Sequence, residues 1–199
     1  MKVLHLEGPA PYCTNSFLLL GQGGGAVAID PAPAAQQFEE QLARHGARLA
    51  AILLTHGHFD HMYSLPQLVK AWGCPVYLDP ADAKGTALMP ADFATLGYTE
   101  GQPLRLAGLE FTPWHTPGHS QGSWLLYCQG LLFCGDTLFA GDIGRNDLEG
   151  GSPAMQRQSL AKIRTLPLPP DTQVLPGHGP FSTLGEELAH NPYLCTEEF

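Results

Sequence analysis

Four side chains that can bind metal ions fall within six residues of this chain, in the segment 55–61 (THGHFDH). In order, they are His56, His58, Asp60 and His61. The first two histidines are two residues apart, so their imidazoles can converge on one ion, and the Asp-His pair can reach a second. Gly57 permits the tight backbone turn that such a loop requires. A polar loop with surface histidines is the plain alternative, but clustered histidines and carboxylates favour a metal site.

Three further candidate ligands each follow an apolar, strand-like segment and stand beside a glycine. They are His119, Asp136 and His178. A single histidine after a strand is more often a packed or surface residue than a ligand. Four strand ends of the same kind in one chain reverse that expectation, so the sequence predicts that all seven side chains share one site.

Seven nitrogen and oxygen ligands exceed the four that one tetrahedral ion takes. They suit two ions about 3.5–4 Å apart that share a carboxylate. No cysteine belongs to the set, which favours a catalytic site over a structural zinc site. Such ions lower the pKa of bound water to about 7 and stabilise a developing oxyanion, so we expect hydrolysis. Two divalent ions are the expected cofactors, zinc first, although iron and manganese also accept these ligands.

The predicted elements place these side chains at strand ends. In the first half, residues 2–7, 15–20, 26–30, 50–54 and 75–78 are predicted as strands, and 34–45, 64–72 and 80–88 as helices. In the second half, strands are predicted at 104–106, 110–114, 123–128, 131–134 and 173–175. Helices are predicted from the capping residue Ser152 to about Thr165, and over about two turns from the capping box at Thr183. This order indicates an α/β fold with partly parallel sheets.

Asp30 closes the third predicted strand, at the edge from which His56 also emerges. Its carboxylate can orient a metal-binding imidazole from outside the coordination sphere. It can equally cap the turn before Pro31, and the sequence alone favours neither interpretation.

Charge and composition exclude several classes of function. The 199 residues carry 10 basic and 19 acidic side chains, a formal net charge of −9, without a run of Lys or Arg. Nucleic acid is therefore not an expected partner, because phosphate contacts need a basic patch. No apolar run reaches the length of a membrane span, and the N-terminal segment lacks the features of a signal peptide, so we expect a cytoplasmic protein. Five cysteines without C-x-x-C spacing disfavour a disulfide framework. The oligomeric state stays open.

The full set of motifs resembles the metallo-β-lactamase superfamily across nearly the whole chain. That resemblance implies a four-layer αββα sandwich of two mixed β-sheets, with residues 1–199 as one domain and no C-terminal helical substrate domain. It also implies how the side chains divide between two metals. His56, His58 and His119 would hold the first ion, Asp60, His61 and His178 the second, and Asp136 would bridge them.

Two segments, 116–123 (TPGHSQGS) and 133–145 (FCGDTLFAGDIGR), resemble the glyoxalase II branch, the hydroxyacylglutathione hydrolases. The resemblance implies hydrolysis of S-D-lactoylglutathione to D-lactate and glutathione, with Asp60 as the catalytic side chain and Arg145 binding the glutathione moiety. A loop salt bridge to Asp142 or Asp147 is the alternative for Arg145, and Asp147 stands where the branch usually has an aromatic residue. No Lys or Arg follows Arg164. We therefore expect the short bacterial type, with weaker or altered glutathione selectivity.

Several rival functions remain open at this stage. A persulfide dioxygenase shares much of the local sequence and uses one iron on two histidines and one aspartate, and a lactonase could use the same site. A class B β-lactamase is disfavoured, because no signal peptide is visible and Asp60 and Asp136, with no cysteine ligand, fit the glyoxalase branch better. A metal-binding redox partner without hydrolytic activity belongs to another class, and no flavodoxin-like domain supports it.

Overall fold

Two β-sheets face each other in the computed structural model, which describes residues 1–93 and 95–195. The first sheet contains, in spatial order, β1 (Lys2–Glu7), β2 (Asn15–Leu20), β3 (Gly25–Ile29), β4 (Arg48–Leu53) and β5 (Val76–Tyr77). Strands β1 to β3 are antiparallel neighbours, whereas β4 and β5 join in parallel. The first sheet is therefore mixed, and the parallel half carries the loop that follows β4.

The second sheet is built from the C-terminal half of the chain. Its strands and those of a small hairpin are β6 (Leu104–Leu106), β7 (Leu109–His115), β8 (Trp124–Cys128), β9 (Leu131–Gly135), the hairpin strands β10 (Leu138–Phe139) and β11 (Asp142–Ile143), β12 (Gln173–Pro176) and β13 (Ser182–Thr183). The spatial order of the sheet is β13-β12-β9-β8-β7-β6. Strands β9 and β12 run parallel and the other neighbours antiparallel, so this sheet is mixed as well.

Five helices cover the outer faces of the two sheets within the described ranges. They are α1 (Ala35–Arg44), α2 (Leu65–Trp72), α3 (Pro153–Ile163), α4 (Leu184–His190) and α5 (Pro192–Cys195). Phe38 of α1 and Leu65 of α2 pack with the first sheet, whereas Leu160 of α3 and Leu194 of α5 pack with the second. A third apolar cluster fills the space between the sheets. The predicted four-layer αββα sandwich is therefore confirmed.

Strand β2 shows why the sequence produces this layering. Successive side chains of a strand point to opposite faces. Leu18 packs in the cluster that contains α1 and α2, while Phe17 and Leu19 pack between the sheets. Because both faces of the strand are covered, its last four residues (FLLL) form a continuous apolar run without a polar alternation.

One predicted element is wrong, and three two-residue strands and the four-residue helix α5 were missed. Residues 80–88 were predicted as a helix, but only Pro80–Asp82 forms a single 3-10 turn. Gly85 adopts a φ of +67°, a left-handed conformation that a right-handed helix cannot contain. Strands β10, β11 and β13 have two residues each, too few to show a periodicity.

The two helix starts that were predicted from a capping residue are confirmed by their capping bonds. The hydroxyl of Ser152 accepts a hydrogen bond from the backbone N–H of Met155 at 3.3 Å. The hydroxyl of Thr183 accepts one from the N–H of Glu186 at 3.2 Å. Such bonds satisfy backbone donors that have no partner within the helix, and so fix where it begins. None of the helices in the two described ranges is both long enough and apolar enough to cross a bilayer.

Candidate metal centre

The loop after β4 delivers the first four predicted side chains. Strand β4 is buried over its last three residues, which holds the start of the loop firmly in the sandwich. The chain then turns, and Phe59–His61 forms one 3-10 turn. This turn carries Asp60 and His61, whereas His56 and His58 precede it. Four potential ligands thus follow one strand end.

The second sheet supplies the other three side chains from three strand ends. His119 follows β7, Asp136 follows β9 and His178 follows β12. Strands β9 and β12 are parallel neighbours, with Gly135 paired to Pro176, so their carboxyl ends lie side by side. Parallel pairing therefore brings Asp136 and His178 to the same edge of the sheet, facing the loop of the first sheet. The structure brings all seven predicted side chains together.

Three histidines form a compact set that we call the imidazole group: His56, His58 and His119. Their ring centroids lie 4.6–4.8 Å apart. Nδ1 of His58 is 2.8 Å from Nε2 of His119. All three side chains are buried.

A second set, the mixed group, combines a carboxylate with two imidazoles: Asp60, His61 and His178. Nε2 of His178 lies 3.3 Å from Oδ2 of Asp60 and 3.4 Å from Nε2 of His61. The side chain of His178 is 26% exposed and that of Asp60 12%, so this group faces the solvent more than the imidazole group does.

Asp136 lies between the two groups. Its Oδ1 is 3.3 Å from Nε2 of His61, and its Oδ2 is 3.5 Å from Nε2 of His119 and 3.4 Å from Nε2 of His178. A single carboxylate therefore contacts histidines of both groups, which is the arrangement that a shared ligand requires.

Backbone carbonyls fix the tautomers of two histidines. Nδ1 of His119 donates to the carbonyl of Arg145 at 2.7 Å, and Nδ1 of His178 donates to that of Tyr12 at 2.9 Å. A carbonyl can only accept, so Nδ1 must carry the proton in both rings. In the neutral ring, Nε2 then presents its lone pair to the interior of the cluster, as a metal ligand must.

Asp30 supports two further histidines from the end of β3. Its Oδ2 lies 3.0 Å from Nδ1 of His61 and accepts a hydrogen bond from the hydroxyl of Thr55 at 2.6 Å. The oxygen of Thr55 is in turn 3.1 Å from Nδ1 of His56. Of the two interpretations that the sequence left open, the structure favours orientation of imidazoles over turn capping. Thr55 itself was missed, and its position directly before His56 was the available signal.

The buried nitrogens of the cluster fit a bound cation. Nε2 of His56 is buried and, within the described part of the chain, has no hydrogen-bond partner. Buried polar atoms are normally satisfied, so this unpartnered nitrogen points to another kind of ligand. The donors are imidazole nitrogens and carboxylate oxygens without thiolate, a set that suits zinc, iron or manganese.

In the metal-free protein, the two groups differ in protonation. Burial, together with the neighbouring His119, lowers the pKa of His58 to about 4. Burial also lowers the pKa of His56 well below its usual value. In the mixed group, burial opposes the charge of His178, but hydrogen bonds to Asp136 and Asp60 outweigh it and raise its pKa to about 9. The pKa of His61 is raised as well, because Asp136 and Asp30 outweigh its burial.

A cavity of about 390 Å³ opens onto the cluster. Its wall is mainly apolar and includes Tyr12, Phe59, Leu88, Phe139 and Leu148. Arg145 also lines it, as the sequence led us to expect for a substrate contact. Its guanidinium, however, donates two hydrogen bonds to Asp147, at 2.7 and 2.9 Å, so the predicted alternative of a loop salt bridge is present. Both side chains of this pair are exposed.

Comparison with known proteins places the cluster in a family. The family model described as "Metallo-beta-lactamase superfamily" matches residues 11–178. The chain is 34% identical to the probable metallo-hydrolase YqgX of Bacillus subtilis, over 92% of this chain and 93% of that protein. It is 36% identical to a hydroxyacylglutathione hydrolase of Jannaschia sp., over 82% of this chain but only 61% of that protein.

Solved structures show the same architecture over almost the whole chain. The B3 metallo-beta-lactamase BLEG-1 is 34% identical, with a TM-score of 0.87 over 98% of this chain and all of that one (100%). TTHA1623, solved in a di-iron-bound form, is 36% identical, with a TM-score of 0.80 over 96% of this chain and 100% of that one. ETHE1 from Myxococcus xanthus is 26% identical, with a TM-score of 0.85 over 100% of this chain and 87% of that one.

Proposed function

This chain belongs to the metallo-beta-lactamase superfamily, and within it we propose that the protein is a binuclear metal-dependent hydrolase of acyl thioesters, with S-D-lactoylglutathione as the leading substrate. One observation carries the proposal. Asp136 lies within 3.3–3.5 Å of histidines from both groups, beside a cavity that can admit a small substrate. The likeness to a hydroxyacylglutathione hydrolase supports the choice of thioester.

The proposal assigns the seven side chains to two divalent ions, zinc first. The imidazole group would hold one ion, the mixed group the other, and Asp136 would contact both. When bound, such a pair of ions supplies hydroxide at neutral pH and stabilises negative charge on the oxygen of the reacting carbonyl. The likeness to a protein with two irons makes iron the second metal to test.

The protein's own groups would orient the site and handle the proton. Asp30 and Thr55 hold His61 and His56 from behind, so their inner nitrogens stay directed at the cluster. Asp60 lines the cavity and accepts a hydrogen bond from the hydroxyl of Thr14 at 3.1 Å. Burial opposes its ionisation, but the hydrogen bond from His178 and the charge of His61 outweigh burial and lower its pKa. An ionised Asp60 is thus available to take the proton of the attacking water.

The cavity suits the acyl part of a thioester better than a highly charged carrier. Its wall is mainly apolar, so an acyl group of modest size gains by burial there. Arg145 is the guanidinium in this lining that could bind a carboxylate of glutathione, and Asp147 is already paired with it. The proposed enzyme therefore binds a glutathione thioester mainly through contacts of the acyl group with the cavity wall and of the reacting carbonyl with the cluster. Its contact with the glutathione moiety is weak.

Three other activities are outcomes of the same test. The likeness to ETHE1 gives some support to an iron-dependent persulfide dioxygenase, which would consume oxygen. The likeness to BLEG-1 brings β-lactam hydrolysis into the test. A lactone is a further substrate that the same site could open.

The deciding experiment follows loss of the thioester from S-D-lactoylglutathione with purified protein, while metals are quantified on the same sample. We expect turnover with about two metals per chain, lost on chelation and restored by zinc. Two bound metals without thioester turnover would reject the proposed substrate and direct the assay to lactones and β-lactams. A single iron with oxygen uptake on glutathione persulfide would reject the proposed hydrolysis.

A further inference from the structure

Asp82 is a fully buried carboxylate outside the predicted cluster, and its partners are two backbone N–H groups and a hydroxyl rather than a basic side chain. Its Oδ2 accepts a hydrogen bond from the N–H of Gly57 at 2.9 Å and from the hydroxyl of Ser120 at 2.7 Å. Its Oδ1 accepts one from the N–H of Gly122 at 2.9 Å. Hydrogen bonds to a carboxylate are about twice as strong as neutral ones, so three of them make a firm attachment.

These partners lie beside the imidazole group. Gly57 separates His56 from His58, and Ser120 directly follows His119. One carboxylate therefore joins the loop of the first sheet to the loop of the second sheet at the points where each carries its histidines. No hydrogen bond or ion pair of Asp82 to the mixed group is found among the described residues.

Both glycines are required by the approach of this carboxylate. A Cβ at position 57 would stand 2.6 Å from Cβ and the carbonyl oxygen of Asp82, and one at position 122 would stand 2.7 Å from its Cγ. Such distances are shorter than real Cβ contacts, so any side chain at either position would displace Asp82. The sequence thus places a glycine, which has no side chain, at both positions where the backbone contacts Asp82.

The turn that presents Asp82 is itself anchored to the second sheet. Asp79 caps this 3-10 turn by accepting from the N–H of Ala81 at 2.8 Å. Its other oxygen accepts from Nε1 of Trp124, in β8, at 2.8 Å. Asp82 is therefore held in place from behind before it contacts the two loops.

We propose that Asp82 is a positioning residue that sets the spacing of the imidazole group and so the metal affinity of that group alone. It acts through the backbone N–H groups of Gly57 and Gly122 and the hydroxyl of Ser120, and it touches no reacting atom. This inference rests on the proposed metal-binding role of the cluster, but its test reads metal affinity and not hydrolysis, so it stands apart from the choice of substrate.

The test measures zinc affinity by competition with a chelator in two single-group backgrounds. His178→Ala leaves the imidazole group intact, and His58→Ala leaves the mixed group intact. Asp82→Asn keeps the shape of the side chain but sets an amide N–H against a backbone N–H. In the His178→Ala background, we expect it to weaken zinc binding by roughly 10–100-fold, the usual effect of losing a partner outside the coordination sphere. In the His58→Ala background, we expect less than about a twofold change, since additivity holds for unconnected sites.

Two matched variants separate positioning from general stability. Asp92→Asn makes the same chemical change at an exposed carboxylate a short distance along the chain, so it should leave both zinc affinities unchanged. Ser120→Ala removes one of the three bonds and should weaken the imidazole group by less than Asp82→Asn does. If Asp82→Asn fails to fold, the zinc affinities of Ser120→Ala decide the test instead. Equal weakening of both groups by Asp82→Asn or Ser120→Ala, or no change in either, would overturn the proposal.

If the protein without Asp82 substitutions binds no zinc at all, the metal-binding premise and this inference both fall. If it binds two ions and hydrolyses no thioester, the positioning role of Asp82 can still be measured, and only the proposed substrate is rejected.

Discussion

The imidazole group and the mixed group lie side by side, yet the pKa of histidine is lowered in the first and raised in the second. His58 is surrounded by other imidazoles and by apolar atoms, and its pKa falls to about 4. His178 faces two carboxylates, and its pKa rises to about 9. At neutral pH and without metal, His58 is thus neutral and can bind a cation directly. In the mixed group, a proton occupies the nitrogen of His178 that would bind the cation. Burial at His58 and neighbouring carboxylates at His178, and not the histidine itself, decide which position a metal enters without displacing a proton.

Replacement of Asp136 should have the largest effect, because this carboxylate contacts both groups. In Asp136→Ala, we expect at least one metal position to be lost. We expect hydrolysis to fall by more than the roughly 10–100-fold that loss of an outer partner costs. Metal analysis and the thioester assay on one sample measure both. Asp142→Asn, an exposed carboxylate in the same segment, is the control. Full metal content with full activity in Asp136→Ala would remove the shared-ligand interpretation.

A pair of substitutions behind the histidines should separate the groups. Asp30→Asn places an amide N–H against Nδ1 of His61, which would force the ring to protonate at its inner nitrogen. Since Asp30 also contacts Thr55, both groups should lose zinc affinity, by about 10–100-fold at the mixed group.

Thr55→Val, of nearly the same shape, removes the hydroxyl beside His56 and leaves the contact between Asp30 and His61 in place. Zinc affinity should fall only at the imidazole group, by up to about tenfold. The two affinities, measured by chelator competition, test this division. A loss confined to the mixed group in Thr55→Val would reverse our assignment of the two supports.

Proton release on zinc binding should distinguish the two groups without a substitution at Asp30 or Thr55. His178 carries a proton below about pH 9, so zinc must displace it to bind Nε2. The apparent affinity of the mixed group should therefore rise with pH between pH 6 and 8, by about tenfold per unit for each proton that zinc displaces. His58, with a pKa near 4, releases none in this range. Zinc titration in weak buffer should acidify His58→Ala more than His178→Ala, and the opposite order would contradict the comparison.

The smallest effect is expected at the edge of the cavity. Asp147→Asn frees the guanidinium of Arg145 from its paired carboxylate. Because the pair is exposed, KM for S-D-lactoylglutathione should fall by only about two- to fivefold. The value of kcat should not change, since neither side chain touches the cluster through its charged atoms. An unchanged KM would show that Arg145 does not contact the thiol carrier.

The sequence made one part of the site easy to predict. Four potential ligands stand within one loop, and their spacing alone indicates a metal site. The other three stand far apart in sequence, and they could be found because each follows an apolar strand beside a glycine. The end of a strand and the residue type that follows it are local features, so both can be recognised from the sequence.

The parts that were missed depend on backbone groups brought together by the fold. The carbonyls of Tyr12 and Arg145 orient His178 and His119, and every residue has a carbonyl. Arg145 was selected for its guanidinium, while its backbone makes the contact with the cluster. Asp82 lies in a segment predicted wrongly as a helix, and two of its three partners are backbone N–H groups that no side-chain pattern identifies.

The seven side chains come from both sheets, so a bound metal would also affect how long the folded protein survives. A cation bound by His56 and His119 bridges the two sheets of the sandwich, and the unfolded chain has no such site. Ligand at 100 times its Kd adds about 2.7 kcal/mol to the free energy of unfolding. Proteases that cut the unfolded chain should therefore degrade the chelated protein faster, as limited proteolysis with and without zinc can measure. In a cell short of metal, the amount of this protein would then fall along with its activity, without any dedicated sensor.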